Sequence, residues 1–408
     1  MKIFKIILLS IICVFSIFTA CDFGSENNEN LIQNNGYISV SERKSIPQNE
    51  AFDFVSDMQI GWNLGNSLDA HNNGFSSETA WGNPEINKTL LEEVAKAGFE
   101  VVRIPITWLG HVGKAPNYTI EESFLTRVSE VVDYAKSAGL KIIINIHHDG
   151  ADSVHWLNIK DAAKDISKNL DVQNQLSSMW KQIAQKFLDS EEYLIFEPMN
   201  EIHDGYWGWG ANRNDNGAQY DILNEWNQVC VDAIRSVGAK NYISIPGYVT
   251  NPDLTMQHLK LPNDSLNKLL VTVHFYDPYD FAIGATLNKW GTRDGKSKSS
   301  DEIHIDTVFS DLYSKYVSEG IPVLISECGA VYQKGYEKYR RYYVEYMVKL
   351  AHINGLIPIL WDNGASGSGK ECFGLFNRAS GEVYSHAQAV VDVAIKASKT
   401  EYTEIKLP

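Results

Sequence analysis

The most informative segment of the chain is Tyr193-Leu-Ile-Phe-Glu-Pro-Met-Asn-Glu201. Its first four residues are apolar and β-prone, as in a buried strand, whereas Glu197, Asn200 and Glu201 are polar. An apolar strand that ends abruptly in acidic residues is typical of how a barrel or an open α/β sheet presents a catalytic group. A later segment that ends in Glu327 has the same order of residues, so Glu201 and Glu327 are the first candidates for catalysis.

Short apolar segments recur along the chain, and segments with helical spacing separate nearly all of them. Strands are predicted at residues 58–63, 100–104, 141–146, 193–201, 242–246, 270–273, 322–326 and 356–360. Helices are predicted at 84–97, 121–138, 171–187, 219–237, 301–318, 335–354 and 385–397. An open doubly wound sheet is the alternative, but it usually carries a glycine-rich phosphate turn that this sequence lacks. We therefore expect an α/β chain with one catalytic domain, a (β/α)8 TIM barrel over residues 51–408.

The first residues of the chain have the features of a targeting segment. Residues 1–20 combine a basic start, an apolar run and small residues, which predicts a signal peptide. Cys21 follows directly, as in a bacterial lipoprotein box, so we expect it to carry the lipid, with a plain secretory signal as the alternative. Residues 21–50 are rich in Asn, Ser and Glu and are predicted to form a flexible tether. The protein is thus expected to be exported, as an outer-membrane or cell-surface lipoprotein or otherwise secreted.

Composition and cysteine usage exclude several classes of function. The formal net charge of −15 argues against a nucleic-acid partner, because phosphate binding needs basic patches. Cys230, Cys328 and Cys372 allow at most one disulfide and are expected to be buried thiols. His147 and His148 are adjacent on a predicted strand and would point to opposite faces, which argues against a metal site. We expect a monomer without a cofactor or a metal, whose only membrane contact is the lipid anchor.

Polar and aromatic side chains follow the ends of most predicted strands. The carboxyl ends of the strands meet at one mouth of a barrel, so these side chains should lie together. Two carboxylates facing each other there suit glycosidic hydrolysis, since one protonates the leaving oxygen while the other attacks or directs water. The supporting residues, predicted to orient the carboxylates or contact a sugar, are Asn63, Arg103, His147, His148, Asn200, His274, Tyr276 and Trp361.

Several tryptophans lie beside Gly, Asn or Asp in predicted loops. Indole rings stack on the C–H faces of sugars, so each is a candidate for ligand contact, although a place in the core is as plausible for any one of them. The loop at 202–210 follows Glu201 and is expected to shape the subsite for the leaving part of the substrate. The tryptophans are Trp81, Trp156, Trp207, Trp209 and Trp290.

The ordered motifs of the chain resemble those of glycoside hydrolase family 5. They are Gly61-Trp-Asn-Leu-Gly-Asn66, Val102-Arg-Ile-Pro105, Ile144-Asn-Ile-His-His148, Phe196-Glu-Pro-Met-Asn-Glu201, His274-Phe-Tyr276, Ile325-Ser-Glu-Cys-Gly329 and Trp361-Asp-Asn363. The resemblance implies a retaining mechanism with Glu201 as acid/base and Glu327 as nucleophile. It also implies that the supporting set includes Arg103, His147, Asn200, His274, Tyr276 and Trp361. The first motif, together with Glu78-Thr-Ala-Trp-Gly-Asn83, is similar to endoglucanase-like members.

The leading hypothesis is therefore a retaining endo-β-1,4-glucanase, or cellulase, with a β-glucan substrate. One alternative keeps this mechanism and changes the substrate to xyloglucan, mixed-linkage glucan or mannan. An alternative of another class is a non-catalytic surface lipoprotein that binds glycans. Both glutamates and their supporting residues are present, which counts against a barrel that has lost catalysis.

Overall fold

The computed structural model describes residues 36–208, 216–292 and 297–408 of the chain. Eight parallel strands form a closed barrel in which each strand pairs with the next and the eighth pairs with the first. This confirms the predicted (β/α)8 barrel. The strands are β1 (Gly61–Asn63), β2 (Val101–Ile104), β3 (Lys141–Asn145), β4 (Leu194–Glu197), β5 (Ile243–Pro246), β6 (Leu269–Phe275), β7 (Val323–Cys328) and β8 (Leu356–Leu360).

Helices surround the barrel and bury one apolar face each against it. In α2, for example, Phe124, Val128 and Val132 are buried at helical spacing. The principal helices are α1 (Lys88–Lys96), α2 (Glu122–Ser137), α3 (Ile166–Lys186), α4 (Ala218–Ser236), α5 (Pro252–His258), α6 (Ser300–Leu312), α7 (Glu337–Ile353) and α8 (Gln388–Lys399). Shorter helices span Glu50–Phe54, Ile159–Ala162 and Tyr279–Ala282, and a hairpin joins His71–Asn72 to Phe75–Ser76. Among the described helices, none is both long and apolar enough to cross a bilayer.

Helix α5 was not predicted from the sequence. It begins at Pro252, whose fixed backbone angle suits a first helical turn. The side chain of Asn251 accepts a hydrogen bond from the Leu254 amide and so caps the helix. The helix has only seven residues, which is too short for a clear apolar period. It supplies the crossover between β5 and β6.

Strand β4 is shorter than the sequence predicted. It ends at Glu197, and the three residues before Glu201 leave the sheet. Pro198 has no amide hydrogen to donate to a neighbouring strand, so the ladder stops there. The acidic end of the segment therefore lies on a connection above the barrel, where Glu201 can reach the mouth.

The flexible tether predicted for residues 21–50 is wrong for its second half. Tyr37–Ser39 forms an antiparallel pair with Glu404–Lys406. Further along, the Lys44 amide donates to the carbonyl of Ile353 at 2.8 Å. Backbone pairing and the buried side chains of Ile38 and Val40 hold this segment despite its polar composition, so the folded domain includes residues 36–50. The predicted signal peptide, Cys21 and the rest of the tether lie outside the described residues.

Candidate active site

A cleft of about 820 Å³ lies at the carboxyl ends of the barrel strands. Its lining contains both candidate carboxylates and most of the other residues predicted for the site. These residues are Trp81, His147, His148, Asn200, Glu201, Trp207, His274, Tyr276, Glu327 and Trp361. The cleft is therefore the place where strand ends from separate parts of the chain bring the candidate chemistry together.

The two glutamates face each other across this cleft. A side-chain oxygen of Glu201, one of Glu327 and a ring nitrogen of His274 all lie within 4.8 Å of one another. Retaining glycosidases hold their two carboxyl groups about 5 Å apart, whereas inverting enzymes need roughly 6.5–9.5 Å to fit a water molecule. The separation observed here is that of a pair in which one carboxylate attacks the sugar directly.

Arg103 lies beneath this pair, fully buried at the end of β2. Nη1 donates to Glu327 Oε1 at 2.7 Å and to Asn63 Oδ1 at 3.0 Å. Nη2 donates to Glu197 Oε1 at 2.6 Å and to Asn200 Oδ1 at 2.7 Å, while Nε donates to both oxygens of Glu197. All five N–H hydrogens of the guanidinium thus have acceptors, which fixes its plane and the oxygen of Glu327 that it holds.

The surroundings of the two glutamates favour opposite protonation states. Burial raises the pKa of Glu201 to about 7. Burial also raises the pKa of Glu327, but the fixed positive charge of Arg103 acts in the opposite direction. Glu327 accepts hydrogen bonds from Arg103 and, at 3.1 Å, from the Tyr276 hydroxyl, and both stabilise the ionised form. Glu327 is therefore the carboxylate of the pair and Glu201 the acid.

His274 connects the two glutamates as a neutral ring. Its Nδ1 lies 2.6 Å from Glu201 Oε1 and 3.6 Å from Glu327 Oε2. Burial lowers the pKa of His274 to about 4, so the ring carries no charge near neutral pH. A neutral imidazole can share the proton of Glu201 without adding a positive charge that would promote its loss.

Contrary to the prediction, Asn63 does not line the cleft in which a substrate would bind. Its side chain has no exposed surface, because it lies under the cleft at the end of β1. Nδ2 donates to the carbonyl of Ser326 at 2.8 Å, and Oδ1 accepts from Arg103. Asn63 therefore orients Arg103 from below and joins β1 to β7.

Contrary to the prediction, His147 and His148 do not point to opposite faces of a strand. Strand β3 ends at Asn145, so both residues lie beyond the regular alternation of the strand. Both line the cleft, and their ring centroids are 4.4 Å apart. Together with the buried Asp69 they place possible ligand atoms within 4.8 Å of one another. His148 Nδ1 pairs with the backbone oxygen of Asp69 at 2.9 Å, which holds the ring at the edge of the cleft.

The predicted tryptophans divide into two groups. Trp81 and Trp207 are 41% and 54% exposed and line the cleft. Trp156 is half-buried and donates to Asp149, while Trp290 is fully buried against tyrosines of α7, so contact of Trp290 with a ligand is excluded. Trp209 lies outside the described residues. The Gly and Asn residues beside these tryptophans in sequence did not distinguish the exposed rings from the covered ones, because segments distant in sequence cover Trp290.

Two functional positions had no predicted role. Glu197 was recognised as a polar strand end, but its pairing with Arg103 joins β4 to β2 and cannot be read from spacing. Asn145 lies within an apolar strand and donates to both Glu197 and His147. A buried Asn in an apolar run is the signal that could have identified it, since such amides need polar partners.

The ring of Trp361 lies against the backbone of Gly65, and this close approach predicts a steric effect. A Cβ atom at residue 65 would lie 2.7 Å from two ring atoms of Trp361 and 2.9 Å from the Asp362 carbonyl. We expect Gly65→Ala to displace the indole and to lower kcat/KM about 100-fold, as misplacement of a contact group by about 1 Å does.

The control for this substitution is Gly113→Ala, where the nearest atom would be 3.3 Å away. Thermal melting of both variants separates loss of the fold from displacement of the Trp361 ring. Normal catalysis by folded Gly65→Ala would show that the position of Trp361 does not matter.

Comparison with known proteins agrees with this geometry. The family model described as cellulase, glycosyl hydrolase family 5, matches residues 66–367. A solved GH5-4 broad specificity endoglucanase from Bacteroides salanitronis is 48% identical, with 88% of this chain and 98% of that chain covered and a TM-score of 0.83. Endoglucanase A of Paenibacillus barcinonensis is 35% identical over 371 residues, which cover 85% of this chain and 89% of the relative.

A third relative was solved with a sugar chain bound. It is a family 5 lichenase from Caldicellulosiruptor sp. F32, a mutant form in complex with cellotetraose, and it is 33% identical. The match covers 89% of this chain and 98% of that chain, with a TM-score of 0.79. The chain described here therefore belongs to glycoside hydrolase family 5.

Proposed function

We propose that this protein is a retaining endo-β-1,4-glucanase in which Glu327 is the nucleophile and Glu201 the acid/base. The observation that carries the proposal is the short separation of the two carboxyl groups combined with their unequal partners. One glutamate is held as an anion by Arg103 and Tyr276, whereas the other is partly buried beside a neutral histidine. This is the asymmetry that double displacement at a sugar carbon needs.

The first step forms a covalent bond between Glu327 and the sugar. The ionised oxygen of Glu327 attacks the anomeric carbon as the glycosidic C–O bond breaks, and Glu201 gives its proton to the departing oxygen. In the second step the ionised Glu201 takes a proton from water, and the water oxygen attacks the same carbon and releases Glu327. Two inversions restore the β configuration, and Glu201 is protonated again at the end of the cycle.

The substrate proposed is a chain of β-1,4-linked glucose. The cleft combines the exposed ring of Trp81 with the ring of Trp361, which suits sugars whose hydroxyls are equatorial and whose two faces therefore present C–H bonds. Relatives named endoglucanase and a lichenase that binds cellotetraose support a glucan. Mixed-linkage glucan, xyloglucan and mannan are the substrates to compare with it.

A substrate panel with the full-length chain tests the proposal. Reducing ends would be measured on carboxymethylcellulose, mixed-linkage β-glucan, xyloglucan and mannan, beside Glu327→Ala as a blank. We expect cleavage of the β-1,4-glucans, with all activity lost in the variant. Cleavage of mannan alone would overturn the proposed substrate but keep the mechanism. Binding of glucan without any cleavage would instead indicate a glycan-binding protein.

Trp207 provides a test of the loop that follows Glu201. Its ring packs on the buried His203 at 4.2 Å between centroids, so it is held in place although it is half exposed. We expect Trp207→Ala to raise KM for cello-oligosaccharides about fivefold, since a stacking contact contributes roughly 1 kcal/mol, with little change in kcat.

Tyr206 is the matched control for Trp207. It is the preceding residue and is 51% exposed, but it does not line the cleft. Tyr206→Ala should leave KM and the pattern of released oligosaccharides unchanged. Equal effects of the two substitutions would mean that the loop, and not the indole, is responsible.

The proposed location of the enzyme rests on the sequence of its first residues. The signal-like segment followed by Cys21 supports export with a lipid anchor, and secretion is the alternative. Labelled palmitate incorporated by the full chain and lost in Cys21→Ala would support the anchor. Export without labelling would favour secretion.

A further inference from the structure

Glu197 is a buried carboxylate next to the reacting groups that lies outside the cleft lining. It has no exposed surface and ends strand β4 inside the barrel. Its two oxygens accept from Nε of Arg103 at 3.1 and 3.2 Å, and Oε1 also accepts from Nη2 at 2.6 Å. Because Arg103 lies between Glu197 and Glu327, Glu197 can affect the substrate only through the side chains that it contacts.

Glu197 gives this buried cluster a net negative charge, whereas Arg103 and Glu327 alone would cancel. Arg103 carries one positive charge and contacts two carboxylates, Glu197 and Glu327. With Glu197 present, this carboxylate partly neutralises the positive charge of Arg103. Arg103 then orients Glu327 but stabilises its negative charge less strongly. Without Glu197, the full positive charge would act on Glu327 in a medium that screens it poorly, and a strongly stabilised carboxylate is a weaker nucleophile.

Asn145 extends the effect of Glu197 to a third side chain. Its Oδ1 accepts from the Ile106 amide at 3.0 Å, and its Nδ2 donates to Glu197 Oε1 at 3.0 Å, so these two partners assign the orientation of the amide. Nδ2 also donates to His147 Nδ1 at 3.0 Å. The neutral His147 ring therefore carries its hydrogen on Nε2, which lies 3.9 Å from Glu327 Oε1.

We propose that Glu197 is a positioning residue of the reaction, which balances the charge of Arg103 beneath the nucleophile and fixes the tautomer of His147 through Asn145. The inference rests on the proposed function, because it needs Glu327 to be the nucleophile. Glu197 at the end of β4 thereby has a role separate from that of Glu201, which lies on the connection after this strand.

The role predicts a change in pH dependence that a purely structural carboxylate would not cause. The titratable and charged groups around the two reacting glutamates come from four strands and their following loops. They are Arg103, His147, His148, Glu197, His203, His274 and Tyr276. Removing the one buried negative charge among them that is not a reacting group favours ionisation of both Glu201 and Glu327. Both limbs of the pH profile should then move to lower pH.

The decisive variant is Glu197→Gln, which keeps the shape of the side chain and removes its charge. We expect kcat to fall at least tenfold and both limbs of the kcat/KM profile to move to lower pH by about one unit, as loss of a neighbouring charge at this range does. The matched control is Glu302→Gln, since Glu302 is equally buried and hydrogen-bonded but belongs to α6, outside the barrel. A folded Glu197→Gln variant with an unmoved profile would overturn the proposal, and so would an equal shift in Glu302→Gln.

Asn145→Ala keeps the test decisive if Glu197→Gln does not fold. This variant breaks the link to His147 but leaves the charge of Glu197 in place. We expect a fall in kcat of about tenfold with both pH limbs unmoved. An unchanged kcat would overturn the role of the link. If the wild type cleaved no glucan, the proposed function would fail first, whereas failure of the inference requires an active wild type.

Discussion

Glu327→Ala is expected to lose activity on β-1,4-glucan by on the order of 10⁵-fold, the largest effect of any single change in this chain. The substitution removes the atom that would bond to the sugar and leaves Arg103 without its second carboxylate. Initial rates on carboxymethylcellulose and on an aryl cellobioside with a good leaving group would measure the loss.

Added azide makes this result specific for a nucleophile. In Glu327→Ala a small anion can occupy the space of the lost carboxylate and attack the sugar from the same face. One displacement instead of two then inverts the anomeric carbon, so the product should be an α-glycosyl azide. A product of β configuration, or substantial activity without azide, would contradict the assignment of Glu327.

Glu201→Ala is expected to reduce cleavage of polysaccharide by about 10²- to 10⁴-fold, the range of a lost general acid. Cleavage of an aryl glycoside whose leaving group needs no proton should form the covalent intermediate at a nearly normal rate. That intermediate should then accumulate, because Glu201 also activates the water. A burst of released phenol followed by slow turnover is the measurement, and azide should relieve the slow phase and give a β-glycosyl azide.

The pH profile gives a second test of Glu201. Because burial raises its pKa to about 7, wild-type activity should fall as the pH rises through about 7 and the acid loses its proton. On the acidic side, activity should fall as Glu327 becomes protonated. The alkaline limb should disappear in Glu201→Ala on the activated substrate. An alkaline limb that persists would mean that a group other than Glu201 titrates there.

The barrel could be predicted because its strands are continuous apolar runs separated by amphipathic helices. Burial on both faces leaves a strong signal in a strand such as β3, where Ile142, Ile143 and Ile144 are all buried. Glu327 and His274 lie near the carboxyl ends of such strands, and Glu201 follows another by four residues, so their convergence at one mouth follows from the fold. The residues that meet, and the support that Arg103 and Tyr276 give to Glu327, could therefore be predicted, whereas the pairing of Arg103 with Glu197 could not.

The remainder depends on contacts between distant segments, which leave no local pattern. Asn63 and Arg103 both end strands, yet only the register between β1 and β2 shows that one supports the other from below. Trp290 follows a lysine in a polar segment and resembles an exposed aromatic, but the tyrosines of α7 cover it. Residues 36–50 have few apolar side chains, and their order comes largely from backbone pairing. The amino-acid composition of a segment does not reveal such pairing.

The pairing of Tyr37–Ser39 with Glu404–Lys406 has a consequence for work on solid cellulose. The segment that follows Tyr37–Ser39 runs along the amino ends of the barrel strands. There Lys44 contacts Ile353 and Asn49 contacts Gly320, just before β8 and β7 begin. The mouth lies at the opposite end. A shortened enzyme prepared for such work should therefore keep residues 36–50, because cutting the chain at residue 51 would remove these contacts from the amino end of the barrel.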